Sequence, residues 1–176
     1  MRWVMFAAAA LIAACPAAAD QTGYGDGRHV RDLAGVLDDA TRSRLADRLE
    51  QAQQRYGPQV GIVTVKSLDG KPIAEFAVAY AEQWQLGSLE RDDGLLIAVA
   101  PNDHETIILP TVHMTTNYPR EWCEEVLQKA LLPQFGKKDF GGGLTQAVDM
   151  IVARMAQYPT LPVTAGAAAP AAGAAG

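Results

Sequence analysis

Cysteine is scarce in this chain. There are two in 176 residues, and the first, Cys15, lies inside an apolar N-terminal stretch. Cys123 is then alone in the remainder, so no internal disulfide can form and the fold must rest on its apolar core. No basic residue or histidine stands immediately beside it, so it reads as a small apolar helix residue rather than a reactive thiol. Positive charge is also short: 15 Lys and Arg face 20 Asp and Glu, for a net charge of −5. Such a chain suits neither DNA nor RNA, and no nucleic-acid partner is expected. No Gly-x-Ser-x-Gly setting surrounds Ser67, which argues against a serine hydrolase. There is no internal repeat and no second long hydrophobic run.

The first 19 residues are built like a secretory signal. Arg2 is the one early charge, Trp3 to Ala14 is apolar but too short to span a bilayer, and Ala17-x-Ala19 precedes Asp20. Removal of residues 1–19 takes one of the 15 basic residues and no acid, leaving 14 against 20. A second reading takes Ile12-Ala13-Ala14-Cys15 as a lipoprotein cleavage box, with membrane attachment through a lipidated Cys15. Both readings export the chain, to the periplasm or beyond. Residues 20–29 form a flexible leader, 30–158 a single domain, and 159–176 a tail of Ala, Gly and Pro with nothing large to bury.

Within the domain the hydrophobic spacing alternates between helix and strand. Leu45, Leu49, Ala52 and Tyr56 share one helical face, capped at Asp38 or Asp39 and stopped by Gly57-Pro58. Gln59 to Val65 is short and β-branched, a strand. Pro72 opens a second helix with Ile73, Phe76, Ala77, Tyr80 and Trp84 on its buried side. Leu95 to Ala100 is apolar at every position, which marks a central strand covered on both faces. Strand 59–65, helix 72–84 and strand 94–100 thus form a parallel crossover, and Glu105 to Leu109 returns as a hairpin after the turn Pro101 to His104. A third helix runs through Trp122, Val126, Leu127, Ala130 and Leu131 to Pro133. A fourth carries Phe140, Leu144, Val148, Ile151 and Met155. The expected class is α/β, with helices around a small mixed sheet.

Arg91-Asp92-Asp93-Gly94 sets two carboxylates directly before the central strand. Paired acids there could hold a hard cation such as calcium or act as acid and base, although calcium wants six to eight oxygen ligands. Asp139 and Asp32, on other loops, are the next candidates, so Asp92, Asp93 and Asp139 are the proposed metal ligands; no catalytic residue is assigned. Asp103 is separated from the pair by seven residues of strand, roughly 23 Å at ~3.3 Å per residue. Ligands in parallel sheets usually sit beyond the carboxyl ends, at Lys66 to Asp69 and Asn102 to His104, the edge opposite Asp92. His104 and His113 flank the hairpin strand on different loops, and His29 reads as a surface residue. Gly141-Gly142-Gly143 could receive an anion on free amides but reads more simply as a flexible junction. Val112 to Tyr118 is the expected exposed contact surface.

Several segments, in order, resemble the TPM domain family: Val30-Arg31-Asp32-Leu33-Ala34-Gly35-Val36-Leu37, Gln59 to Leu68, Trp84-Gln85-Leu86-Gly87, Asp92-Asp93-Gly94-Leu95-Leu96, and Leu132-Pro133-Gln134-Phe135 with Lys138-Asp139-Phe140. The resemblance covers residues 30–158. It implies a three-layer α/β/α sandwich outside the cytoplasm, acidic loops that bind calcium in some members, and acid phosphatase activity in some. The chain departs from the family where a Gly-x-Gly stretch with following acids is usual. Ile108 to Pro119 has neither. The reading that follows is an exported, non-catalytic module for an envelope or membrane protein partner, with a divalent-cation-dependent phosphatase as the alternative.

Overall fold

The computed structural model describes residues 29–87 and 91–160. The expected signal (1–19), the leader up to residue 28 and the tail from residue 161 lie outside the described residues. Helix α1 (Asp39–Tyr56) starts where the Asp38 carboxylate accepts the Thr41 N–H at 2.8 Å. It ends where Gly57 adopts φ 104° and returns its N–H to Gln53, a backbone conformation that favours glycine. Strands β2 (Gln59–Thr64) and β3 (Gly94–Ala100) are parallel, with α2 (Ile73–Gln83) between them in sequence. Strand β4 (Glu105–Pro110) folds back antiparallel on β3. The sequence pattern misses β1 (Val30–Asp32), which pairs parallel with β2 and at three residues is too short to show a period. The sheet order is β1-β2-β3-β4.

Period-two alternation sorts the strand residues into two cores. Ile62, Ile97, Val99 and Ile108 pack with α1, α3 (Arg120–Val126) and the last helix, while Val63, Leu96 and Ala98 pack with α2. Helices therefore cover both faces, and the fold is the expected α/β/α sandwich. Gly61 belongs to the second core for a steric reason. A Cβ there would stand 2.7 Å from the Trp84 ring, so the glycine lets that buried indole lie on the sheet. The Arg31 guanidinium covers the same ring at 5.5 Å. Trp122 is only half-buried, against the first core.

Three local expectations are corrected. Pro133 does not end the third helical path: residues 127–131 form a π turn, and α4 (Leu132–Phe135) follows with Pro133 in its first turn. The wider turn bonds the Leu132 N–H to the Leu127 carbonyl and restarts the α register, so the proline falls where a missing N–H is harmless. Gly141 to Gly143 are no flexible junction but the first turn of α5 (Phe140–Gln157). A Cβ on Gly143 would lie 2.9 Å from the Phe135 ring, and one on Gly141 3.1 Å from Thr41; the small residues let α4 and α1 approach. Pro159 and Thr160 do not behave as tail, because Thr160 donates its N–H to Tyr56 at 2.8 Å. No described helix is long and apolar enough to cross a membrane.

His29 is a further correction. It is 2% exposed, with Nδ1 3.0 Å from the Val60 carbonyl. That acceptor requires the proton on Nδ1, which allows a neutral ring to be buried. Burial holds its pKa below 6.5, opposed in part by the Val60 bond and by Glu50. A lowered folded-state pKa means the unfolded chain binds the proton more readily. The stabilisation is therefore intact above about pH 6.5 and is lost as the pH falls below it. Denaturant midpoints measured from pH 7.5 to 5 should fall more steeply for the native protein than for His29→Gln. Coincident slopes would contradict the assignment.

Candidate functional site

The two acids before β3 are placed by the hairpin and by the loop from α2. Extending the pairing of Leu95 with Pro110 outward sets Gly94 opposite Thr111 and Asp92 opposite His113. The Thr111 N–H donates to the Gly94 carbonyl at 2.9 Å, the Gly94 N–H donates to Thr111 Oγ1 at 3.1 Å, and that hydroxyl donates to the Asp92 carbonyl. Asp92 sits at φ 47°, a left-handed conformation that aspartate tolerates. Its Oδ2 lies 2.9 Å from His113 Nδ1 and accepts the His113 N–H at 3.3 Å. Gly94 is sterically required, since a Cβ there would lie 2.8 Å from the Leu86 carbonyl oxygen.

Asp93 has a separate set of partners. Its side chain is 1% exposed, with Oδ2 2.7 Å from Arg91 Nε, and accepts the Thr160 hydroxyl at 2.8 Å. Its carbonyl accepts the Gln59 N–H at 2.8 Å, and Gln59 Oε1 accepts the Gly87 N–H at 2.9 Å. The adjacent carboxylates thus serve two networks, one exposed on His113 and one buried on Arg91 and Thr160. The Asp92–His113 contact is absent from the sequence reading, although the hairpin register carries its signal.

The other predicted ligands lie elsewhere. Asp139 caps α5, accepting the Gly142 N–H at 2.8 Å. Its neighbours Lys138 and Phe140 share a cleft with Ala100 at the far end of β3. Asp32 accepts N–H groups from Gly35 at 3.0 Å, Val36 at 3.1 Å and Leu37 at 2.8 Å, and also takes the Thr64 hydroxyl. That loop consumes both its oxygens. Asp103 accepts the Leu68 N–H at 3.0 Å. His104 precedes β4 and His113 follows it, so the strand separates them. Among the described residues no three His, Cys, Asp or Glu side chains gather closely enough to hold a metal. Cys123 is buried, which pushes its thiol up to about 11, far from a reactive thiolate. In the segment expected to be exposed, Val112 is 79% exposed, but Met114 and Tyr118 are buried. The reason is apolar: both side chains join the first core.

A separate concavity lies at the opposite edge. Beyond the carboxyl end of β3 a cleft of about 770 Å³ is walled by Val36, Phe135 and Phe140, with Asn102, His104 and Lys138 as polar groups. His104 and Lys138 take φ 56° and 61°. Size and position are those of a ligand or peptide site in an α/β fold.

The model of the TPM domain family matches residues 30–154, most of this chain. The chain belongs to the TPM domain family. Its fold is similar to three NMR structures. The N-terminal domain of a P. gingivalis protein superimposes with TM-score 0.69 at 21% identity, covering 80% of this chain and 86% of that one. A protein from the psychrophilic bacterium Bizionia argentinensis gives 0.64 at 16% identity, over 73% and 86%. The N-terminal domain of the cg2496 protein from Corynebacterium glutamicum gives 0.57 at 13%, over 71% and 78%. No curated protein matches.

In this TPM domain the two acids should differ sharply when removed. Asp93→Ala leaves Arg91 and Thr160 without their buried partner and is expected to cost about 3–5 kcal/mol. Asp92→Asn keeps a residue that tolerates φ 47° and weakens only a contact with a mostly exposed histidine, so it should cost less than about 1 kcal/mol. Equilibrium urea unfolding of both variants checks the ranking. Equal costs would contradict it.

Proposed function

We propose that this TPM domain is exported and acts without catalysis, as an accessory module that holds an envelope or membrane protein. The observation that carries the proposal is the commitment of Asp92 and Asp93 to internal partners. Arg91 already balances the buried charge of Asp93 at 2.7 Å, and His113 Nδ1 lies on the nearer oxygen of Asp92 at 2.9 Å. Calcium wants six to eight oxygens. Here a guanidinium and an imidazole stand where further oxygen ligands would be needed, so the residues do not fit the ion. The segment after β4 supplies His113 and exposed Val112 rather than acids. Export rests on residues 1–19, which have the charge, apolar length and small-residue end of a secretory signal.

Purified protein assayed with p-nitrophenyl phosphate, with and without millimolar calcium or magnesium, should give no cation-dependent turnover. Asp92→Asn is the informative variant, because Asp93→Asn also weakens the fold. Cation-dependent hydrolysis that Asp92→Asn abolishes would overturn the proposal in favour of a metal-dependent phosphatase. Amide NMR gives an independent reading: resonances of residues 91–94 and 111–113 should not move on calcium addition, and saturable shifts there would count against it.

A further inference from the structure

Strand β4 is an edge of the sheet, and its hydrogen-bonding direction can be assigned. Thr111 bonds to Gly94 on the same register that pairs Leu109 with Leu96 and Ile107 with Ala98. Antiparallel pairing alternates, so Glu105, Ile107 and Leu109 direct their backbone groups to β3, whereas Thr106, Ile108 and Pro110 direct theirs outward. Pro110 has no N–H to offer and Ile108 is buried. The open part of the edge is therefore the first half of the strand, around Thr106. Natural sheets usually blunt such an edge.

Beside that half-strand runs a groove of about 280 Å³. Ile73 of α2 forms one wall, Leu127 and Leu132 form the other, and Thr106 lies between them with Glu105 and Glu124 at the rim. Leu132 is 43% exposed here. The groove shares His104 to Thr106 and Leu132 with the 770 Å³ cleft, so the two make one trough. No Lys or Arg lines the groove itself; Lys138 lines the adjoining cleft, Glu124 Oε1 pairs with Arg120 at 2.7 Å across one exposed turn, and Glu105 Oε2 accepts the Ile73 N–H at 3.3 Å.

We propose that this groove receives an extended, basic segment of a partner polypeptide, which bonds to the outward N–H and C=O of Thr106 as an added strand and sets a Lys or Arg between Glu105 and Glu124. The inference rests on the partner-binding reading above and names its site. Backbone pairing supplies a sequence-tolerant anchor, apolar walls take alternate side chains, and the two carboxylates select the charge. Residues 161–176 carry no basic residue, and residues 20–28 precede β1, the opposite edge of the sheet. Neither suits the groove, and a second acidic copy of the chain would oppose its charge.

The test is a titration of ¹⁵N-labelled protein with a blocked Val-Lys-Val-Lys-Val-Lys peptide, with Val-Glu-Val-Glu-Val-Glu as control. The Thr106 amide and its neighbours in 104–107 should shift saturably with the Lys peptide and not with the Glu peptide. Glu124→Lys should weaken binding at least roughly fivefold, while leaving the unliganded spectrum otherwise intact, since Glu124 is exposed and its ion pair with Arg120 is an exposed one across one turn. No shift at Thr106 at millimolar peptide, equal response to both peptides, or shifts that appear on concentrating the protein alone would each overturn the proposal. The last result would assign the edge to a second copy. Failure here leaves the non-catalytic reading standing, which falls only to cation-dependent turnover.

Discussion

A single buried carboxylate organises the entry side of this sheet. Asp93 is held by Arg91 and Thr160 through its side chain and by Gln59 through its carbonyl. An unpaired charge at such a site would cost several kcal/mol, so the placement of the acid dictates what surrounds it. Thr160 must reach back to it, and the start of β2 must lie beside it. Gly94 follows because the α2–β3 loop and Thr111 crowd it from two sides. Two neighbouring acids thus do unlike work: one closes the fold, and the other latches the segment after β4 through His113.

The legible parts of the fold are those with local, repeated signals. Helix α1 is readable from the Asp38 cap, the spacing of Leu45, Leu49 and Ala52, and the stop at Gly57. The burial of every residue from Gly94 to Ala100 is readable from an unbroken apolar run. Strand β1 is not, because three residues carry no period. Pro133 misleads because a helix can absorb a proline by resetting its register through a π turn. Glycine misleads in α5 for a similar reason: low helix propensity loses to the close approach of Phe135 and Thr41.

The candidate site is half legible. The sequence marks Asp92 and Asp93 as acids at the mouth of a strand, but not which partners they take. For Asp92 the information is present, since the hairpin register brings His113 opposite. For Asp93 it is not: Thr160 lies 67 residues away in a stretch of no periodicity. Asp139 looks like a loop acid and is an N-cap, a role the following helix start also permits. A cleft lies at the other end of the sheet, where parallel strands usually present their ligands. Within the TPM domain family, this chain pairs a committed acidic edge with an open trough along β4.

The most direct measurement is a double-mutant cycle on Arg91 and Asp93, with unfolding free energies for Arg91→Met, Asp93→Asn and the pair. Asp93→Asn keeps one acceptor oxygen for Thr160 while removing the charge and turning the other oxygen into an amide donor. If the buried pair is the clasp of the fold, the two changes couple by about 2 kcal/mol. Additivity within ~0.5 kcal/mol, together with a folded and unaltered Asp93→Asn protein, would contradict a structural role and reopen that carboxylate to chemistry.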